Sequence, residues 1–145
     1  MSKLRKFSAG NAMHRVEGDL VPQVSGPGEI RPGGDFYDYA AKYEDDGAEL
    51  IDEPALDPET TVEFQELAAR AFIALRCSGM ARVDFFLDPD RGPVLNEVNT
   101  IPGFTPISMY PLLWQKTGLT YPALVDRLVD LAVARHARRR RNTDR

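Results

Sequence analysis

The sequence predicts an α/β (α+β) domain in which a mainly antiparallel sheet is flanked by helices. Three observations point there. Two strand-like runs, Met80–Asp88 and Pro93–Thr100, flank the turn formers Pro89-Asp90-Arg91-Gly92 and read as a β-hairpin. Apolar residues recur at helical spacing between Pro58 and Arg76. A second amphipathic stretch occupies Pro122–Arg138.

Composition sets the outer bounds. The chain has 145 residues, enough for one domain with a real core, and 43% of them are hydrophobic, a globular value. A net charge of −4 gives no reason to expect nucleic acid as the main ligand. The single cysteine, Cys77, excludes an internal disulfide and suits a reducing, cytoplasmic setting. It reads as a packed thiol rather than a nucleophile. No apolar run approaches the roughly 18 residues of a membrane span. The basic start, Met1 to Phe7, lacks the apolar core of a signal peptide.

Taken in order, residues 1–22 show no clear period. Lys3, Arg5 and Lys6 make the start basic, and Gly10, Gly18 and Pro22 interrupt it. One short strand is expected at Met13–Val16. Val24 to Gly34 is turn-rich, with a short strand at most. The aromatic run Phe36–Tyr43 allows a helical turn at Tyr37–Ala41, although loop and strand character is expected. Glu44–Gly47 is an acidic turn, and Glu49–Ile51 a strand. Asp57-Pro58-Glu59 opens a helix: Asp caps, Pro fits the first position, and Glu suits the positive dipole end. Phe64, Leu67, Ala68, Ala71, Phe72 and Leu75 form its apolar stripe, and Gly79 supplies a stop.

After the hairpin, Ile101–Pro106 is a loop because its prolines remove donors. Ser108–Lys116 is a short helix ended by Gly118. Thr120-Tyr121-Pro122 opens the last helix, with Leu124, Val125, Leu128, Leu131 and Ala132 on its apolar side. Arg135–Arg141 is a basic end, followed by a polar tail. These boundaries divide the chain into an undetermined segment 1–22, a domain at 23–136 and a basic tail at 137–145.

The hairpin carries the chemistry. With a four-residue turn at Pro89–Gly92, Asp88 pairs with Pro93, Asp84 falls opposite Glu97, and Arg82 falls opposite Asn99. All four polar residues then share one face. Facing carboxylates repel. A bridging divalent cation removes that penalty, and oxygen-only ligands suit magnesium, which usually also holds substrate phosphates. The residues alone therefore point to a metal–nucleotide site.

Each of these residues also has a plain structural reading. Asp84 and Glu97 could be a solvated acidic face, with Arg82 as their ion-pair partner. Asn99 could be a strand-end residue, Gly103 a turn glycine and Lys42 a surface lysine. Ser108 fits capping and ligand contact equally. Tyr37, Tyr39 and Tyr43 could be packing aromatics. Trp114, Phe85 and Phe86 read as core or half-buried sheet. His14 and His136 lack metal partners nearby and read as surface residues. Arg138–Arg141 reads as a solvated tail.

Four segments, in this order and spacing, resemble D-alanine–D-alanine ligases of the ATP-grasp superfamily. They are Phe36-Tyr37-Asp38-Tyr39-Ala40-Ala41-Lys42-Tyr43, Gly79-Met80-Ala81-Arg82-Val83-Asp84-Phe85-Phe86, Asn96-Glu97-Val98-Asn99-Thr100-Ile101-Pro102-Gly103-Phe104-Thr105 and Ser108-Met109-Tyr110-Pro111. The likeness runs from about Ser25 to about Arg135. It implies the C-terminal part of an ATP-grasp fold. It also implies ligation of two D-alanines with ATP through an acyl phosphate, a step of peptidoglycan precursor synthesis.

By this resemblance Asp84, Glu97 and Asn99 hold Mg2+ (or Mn2+). Arg82 stabilises the transferred phosphoryl group or the oxyanion. The Gly103 amide helps form an oxyanion hole. Lys42 and Tyr43 belong to a closing loop at the nucleotide, with Asn96 and Glu97 also on the nucleotide side. Ser108 and Met109 contact the carboxylate of the second D-alanine. The partners implied are D-alanine and ATP, with neither nucleic acid nor membrane. Family ligases also carry an N-terminal domain and a central glycine-rich loop domain. The chain is therefore expected to begin after both and to have little activity alone. A non-catalytic remnant, a module completed by a separate ligase portion, and a homodimer are the alternative states.

Overall fold

A computed structural model describes residues 5–16, 19–31 and 49–143. Five strands and three helices are described: β1 (Arg5–Val16), β2 (Asp19–Arg31), β3 (Glu49–Ile51), α1 (Pro58–Ala74), β4 (Met80–Asp88), β5 (Gly92–Asn99), α2 (Met109–Lys116) and α3 (Tyr121–Thr143). The strands form one sheet in the order β3-β2-β1-β4-β5, and every neighbouring pair is antiparallel.

Alternation along β1 and β4 sorts their side chains onto two faces. Phe7, Ala9, Val83 and Phe85 meet Phe64 and Ala68 of α1 in one core. Phe64 lies between Phe7 and Phe85, with ring centroids 4.9 and 5.3 Å away. The opposite face carries Lys6, Ser8, Gly10 and Ala12 of β1 beside Phe86, Asp84, Arg82 and Met80 of β4. At one end of this face Ala12 packs with Tyr110, Trp114 and Leu124 of α2 and α3.

Small residues let α2 approach so closely. A Cβ on Gly28 would lie 2.7 Å from Leu113 Cδ2 and 2.9 Å from Met109 Sδ. Gly28→Ala is therefore expected to destabilise the domain by about 1–3 kcal/mol through overpacking. Gly26→Ala, where a Cβ meets nothing within 4 Å, is the control. Urea melts of both variants check this; equal midpoints would refute the close packing.

Several expected elements differ in extent. The short strand at Met13–Val16 is the end of a 12-residue strand, and the turn-rich passage belongs to a 13-residue one. Pro22, Gly26 and Pro27 fit because, among the described residues, β3 pairs only with Glu29–Arg31 and leaves the rest of that side of β2 an edge. A bulge between Ala9 and Asn11 also absorbs Ser25 and Gly26, and Gly10 N–H donates to Ser25 Oγ. The aromatic run Phe36–Tyr43 lies outside the described residues. The strand at Glu49–Ile51 is present.

Helix α1 starts as expected, with the Thr60 amide donating to the Asp57 carboxylate at 2.8 Å. It ends before Gly79. Arg76 takes the left-handed conformation (φ 51°), and Cys77 N–H returns to Phe72 O. Gly79 instead serves the entry to β4 at φ 89°. Gly118 does close α2, with Leu119 N–H on Trp114 O. The arginine-rich end expected as a tail continues α3 to Thr143, consistent with the good helix propensity of Arg.

Candidate active site

The hairpin register places Asp84 opposite Glu97 and Arg82 opposite Asn99, as expected. It arrives there by two compensating steps. Asp88 pairs with Gly92, not Pro93, because the connection has three residues and Gly92 adopts φ 72°. A bulge between Asp84 and Phe85 then leaves Asn96 without a cross-strand partner and restores the register.

Asp84 is fully buried, and its carboxylate is heavily engaged. Arg82 forks onto it, Nε to Oδ1 at 2.8 Å and Nη2 to Oδ2 at 2.9 Å. Ser8 Oγ donates to Oδ1 at 2.7 Å, and Lys6 Nζ stands 3.9 Å from Oδ2. Burial pushes the Asp84 pKa up, but the Arg82 fork and charge, the Ser8 hydroxyl and the Lys6 charge outweigh it. The group is held below its ordinary value.

Arg82, Glu97, Val98, Asn99, Thr100, Ile101 and Gly103 line a cleft of about 610 Å³ beside this pair. The loop after β5 is anchored rather than loose. Pro102 is buried, Phe104 stacks near Tyr110 and Tyr121 at 5.9 and 5.5 Å, and Tyr121 Oη donates to Phe104 O. That anchoring carries Gly103 into the cleft wall. Asn99 Oδ1 accepts from Ile101 N–H at 3.0 Å, so Asn99 is a strand-end turn residue as well as a cleft residue.

The other candidates fall in different places. A Cβ on Gly103 would lie 3.2 Å from Ser108 Oγ, so these two adjoin. Ser108 occupies the N-cap position of α2 without a side-chain cap bond. Its Oγ accepts from Thr105 N–H instead. Met109 is buried, with its sulfur against Gly28. Asn96 is exposed at the bulge. Lys42 and Tyr43 lie outside the described residues. Lys6 and Ser8 escaped the sequence reading because β1 itself did. Their signal was two-residue spacing with Gly10 and Ala12 along one face.

An antiparallel sheet that pairs a buried Asp84 with Glu97 beside a cleft walled by Arg82, Asn99 and Gly103 has the architecture of the C-terminal part of an ATP-grasp fold. Residues 10–130 match the family described as D-ala D-ala ligase C-terminus. A curated D-alanine–D-alanine ligase from Listeria welshimeri is 56% identical over 125 residues, covering 84% of this chain and 34% of the relative. The structure of the Coxiella burnetii D-alanine–D-alanine ligase superposes with a TM-score of 0.82 at 36% identity, covering 98% of this chain and 35% of that one. The Bacillus anthracis ligase, solved in complex with ATP, gives 0.72 at 25% identity, covering 96% of this chain and 43% of its own. The chain belongs to the D-alanine–D-alanine ligase C-terminal family. It spans about a third of the length of the curated relatives it matches. Among the described residues no helix is long and apolar enough to cross a membrane.

Proposed function

We propose that this domain holds the phosphates of ATP and the reacting centre during ligation of two D-alanines to D-alanyl-D-alanine. The observation that carries the reading is the Asp84–Glu97 pair, in register with Arg82–Asn99 on the face that opens into the cleft. The relatives' names support the substrate class. The product would enter peptidoglycan synthesis in the cytoplasm.

The donor set fits a hard divalent cation: two carboxylates and one carboxamide, all oxygen, on one sheet face. Among the described residues no cluster of three or more His, Cys, Asp or Glu side chains forms, so substrate phosphates would have to complete the cation's shell. Asp84, Glu97 and Asn99 would hold Mg2+ (or Mn2+), which supplies charge neutralisation between nucleotide phosphates.

The chain's own groups do the rest. Arg82 offers planar N–H donors to the transferred phosphoryl group, and then to the oxyanion formed when the second amine attacks the acyl phosphate. Gly103 N–H aims a donor at that oxyanion. Ser108, adjoining Gly103, and the backbone at Met109 receive the carboxylate of the second D-alanine. By the family resemblance Lys42 and Tyr43 would contact the nucleotide, with Asn96 flanking Glu97 at its edge.

Calorimetry tests the reading. Mg–ADP should bind this chain, and Glu97→Ala should abolish the metal-dependent part. Binding that survives Glu97→Ala, or none at all, would overturn it.

A further inference from the structure

The Asp84 carboxylate is already occupied by the chain itself. A carboxylate offers about four lone-pair sites. Arg82 takes one on each oxygen, at 2.8 and 2.9 Å, and Ser8 takes a third at 2.7 Å. A divalent cation needs an oxygen lone pair at about 2.0–2.6 Å and is repelled by a guanidinium on the same carboxylate. Asp84 cannot serve both at full strength.

Lys6 Nζ stands farther off, 3.9 Å from Oδ2, and the two groups in hydrogen-bond contact differ in what they can do on leaving. Ser8 is neutral, fully buried and fixed on β1 directly opposite Asp84, so its hydrogen bond can remain. Arg82 stands at the cleft wall, its side chain 19% exposed, opposite Asn99. The residue whose guanidinium holds Asp84 thus also borders the open volume. We infer that Arg82 is the hydrogen-bonded counter-ion of Asp84, with Lys6 the more distant one, and turns into the cleft only when a divalent cation replaces it there.

This inference rests on the proposed metal–nucleotide reading and adds an order to it. The anion-stabilising guanidinium becomes available after the cation is in place, not before. An acyl phosphate or phosphoryl group therefore meets Arg82 only in a loaded site. Meanwhile the buried carboxylate is never left unpaired, which would be costly. Ser8 acts as the positioning residue that keeps Oδ1 aimed through the exchange.

The test uses the whole chain, labelled with nitrogen-15, and Mg2+ as the probe, alone and then with ADP. In the metal-free chain the Arg82 Nε–H signal should be protected from solvent exchange. Saturation with Mg2+ should move that signal and speed its exchange about tenfold, as expected when a charged hydrogen bond is lost. Arg82→Lys, which keeps the charge but not the fork, should bind Mg2+ at least about threefold more tightly. A Mg2+ response at the amides around Glu97 with an unmoved Arg82 signal would overturn this inference and leave the site reading standing. So would unchanged affinity in Arg82→Lys. No response in either chain to Mg2+, alone or with ADP, would overturn the site reading itself, and this inference with it.

Discussion

Trp114→Ala will bring the domain close to unfolding. Trp114 is fully buried in the cluster with Ala12, Tyr110 and Leu124. It sits against β1, where a Cβ on Gly10 would lie 2.9 Å from its Nε1. Truncating a buried aromatic of this size removes about 3–5 kcal/mol. A domain of this kind has roughly 5–15 kcal/mol in total. The effect should reach the cleft. Trp114 meets the edge of Tyr110 at 6.4 Å, and Tyr110 neighbours Phe104, which anchors the loop bearing Gly103. Urea denaturation should show the loss, and Trp114→Phe should recover most of it. A loss below about 1 kcal/mol, the scale of a surface change, would mean that α2 is not fixed by this contact.

That cluster also explains why half the sheet was hard to read. The hairpin announces itself in sequence because β4 and β5 alternate and a turn separates them locally. Asp84 opposite Glu97 follows from counting, although the count was right only because the bulge at Asn96 offsets a shorter turn. Helix α1 was legible from its cap and stripe. In contrast, β1 buries Phe7, Ala9 and the polar Asn11 on its α1 face and carries Lys6, Ser8, Gly10 and Ala12 on the other. The small residues are there because α2 packs against them, and the polar ones because Asp84 lies opposite. Both reasons are tertiary, and strand propensity responds to such context more than to the local chain. β2 misleads in the same way, since Gly28 reads as a turn former but admits Leu113 and Met109.

The site shows the same division. Arg82, Asp84, Glu97, Asn99 and Gly103 converge because one hairpin and its outgoing loop carry them all. Ser8 and Lys6 come from a strand more than seventy residues away in sequence, and Ser8 was invisible until β1 was placed beside β4. Ser108 looked like a helix cap, but Thr105 N–H claims its hydroxyl. Residue type alone could not choose between those uses.

Asp84→Ala should fail twice over, in folding and in ligand binding, where Glu97→Ala fails once. Removing the Asp84 carboxylate takes away the acceptor of the Ser8 hydroxyl and of the Arg82 fork at a fully buried position. Breaking a buried pair from one side is expected to remove about 3–5 kcal/mol. Glu97 is only half-buried, so its truncation should stay within about 1 kcal/mol while still eliminating metal-dependent ADP binding. Acid separates the two roles further. Asp84 is held below its ordinary value in the folded chain, so across the acid window the unfolded chain binds more protons. Its contribution is complete above the unfolded carboxylate pKa of about 3.9. It is lost as pH falls through the lower folded value. Asp84→Asn should therefore flatten the acid limb of a stability–pH curve, leaving the slopes from Glu29 and from Asp57, which its bonds to Thr60 also hold low. The Glu29 carboxyl is itself held low by its bond to Arg5, against burial, with help from Arg31. Chemical melts of the parent chain and Asp84→Asn between about pH 2 and pH 7 would read this directly. Parallel acid limbs in the two chains would show that Arg82 and Ser8 do not hold Asp84 charged, and would remove the physical basis for a cation competing at that carboxylate.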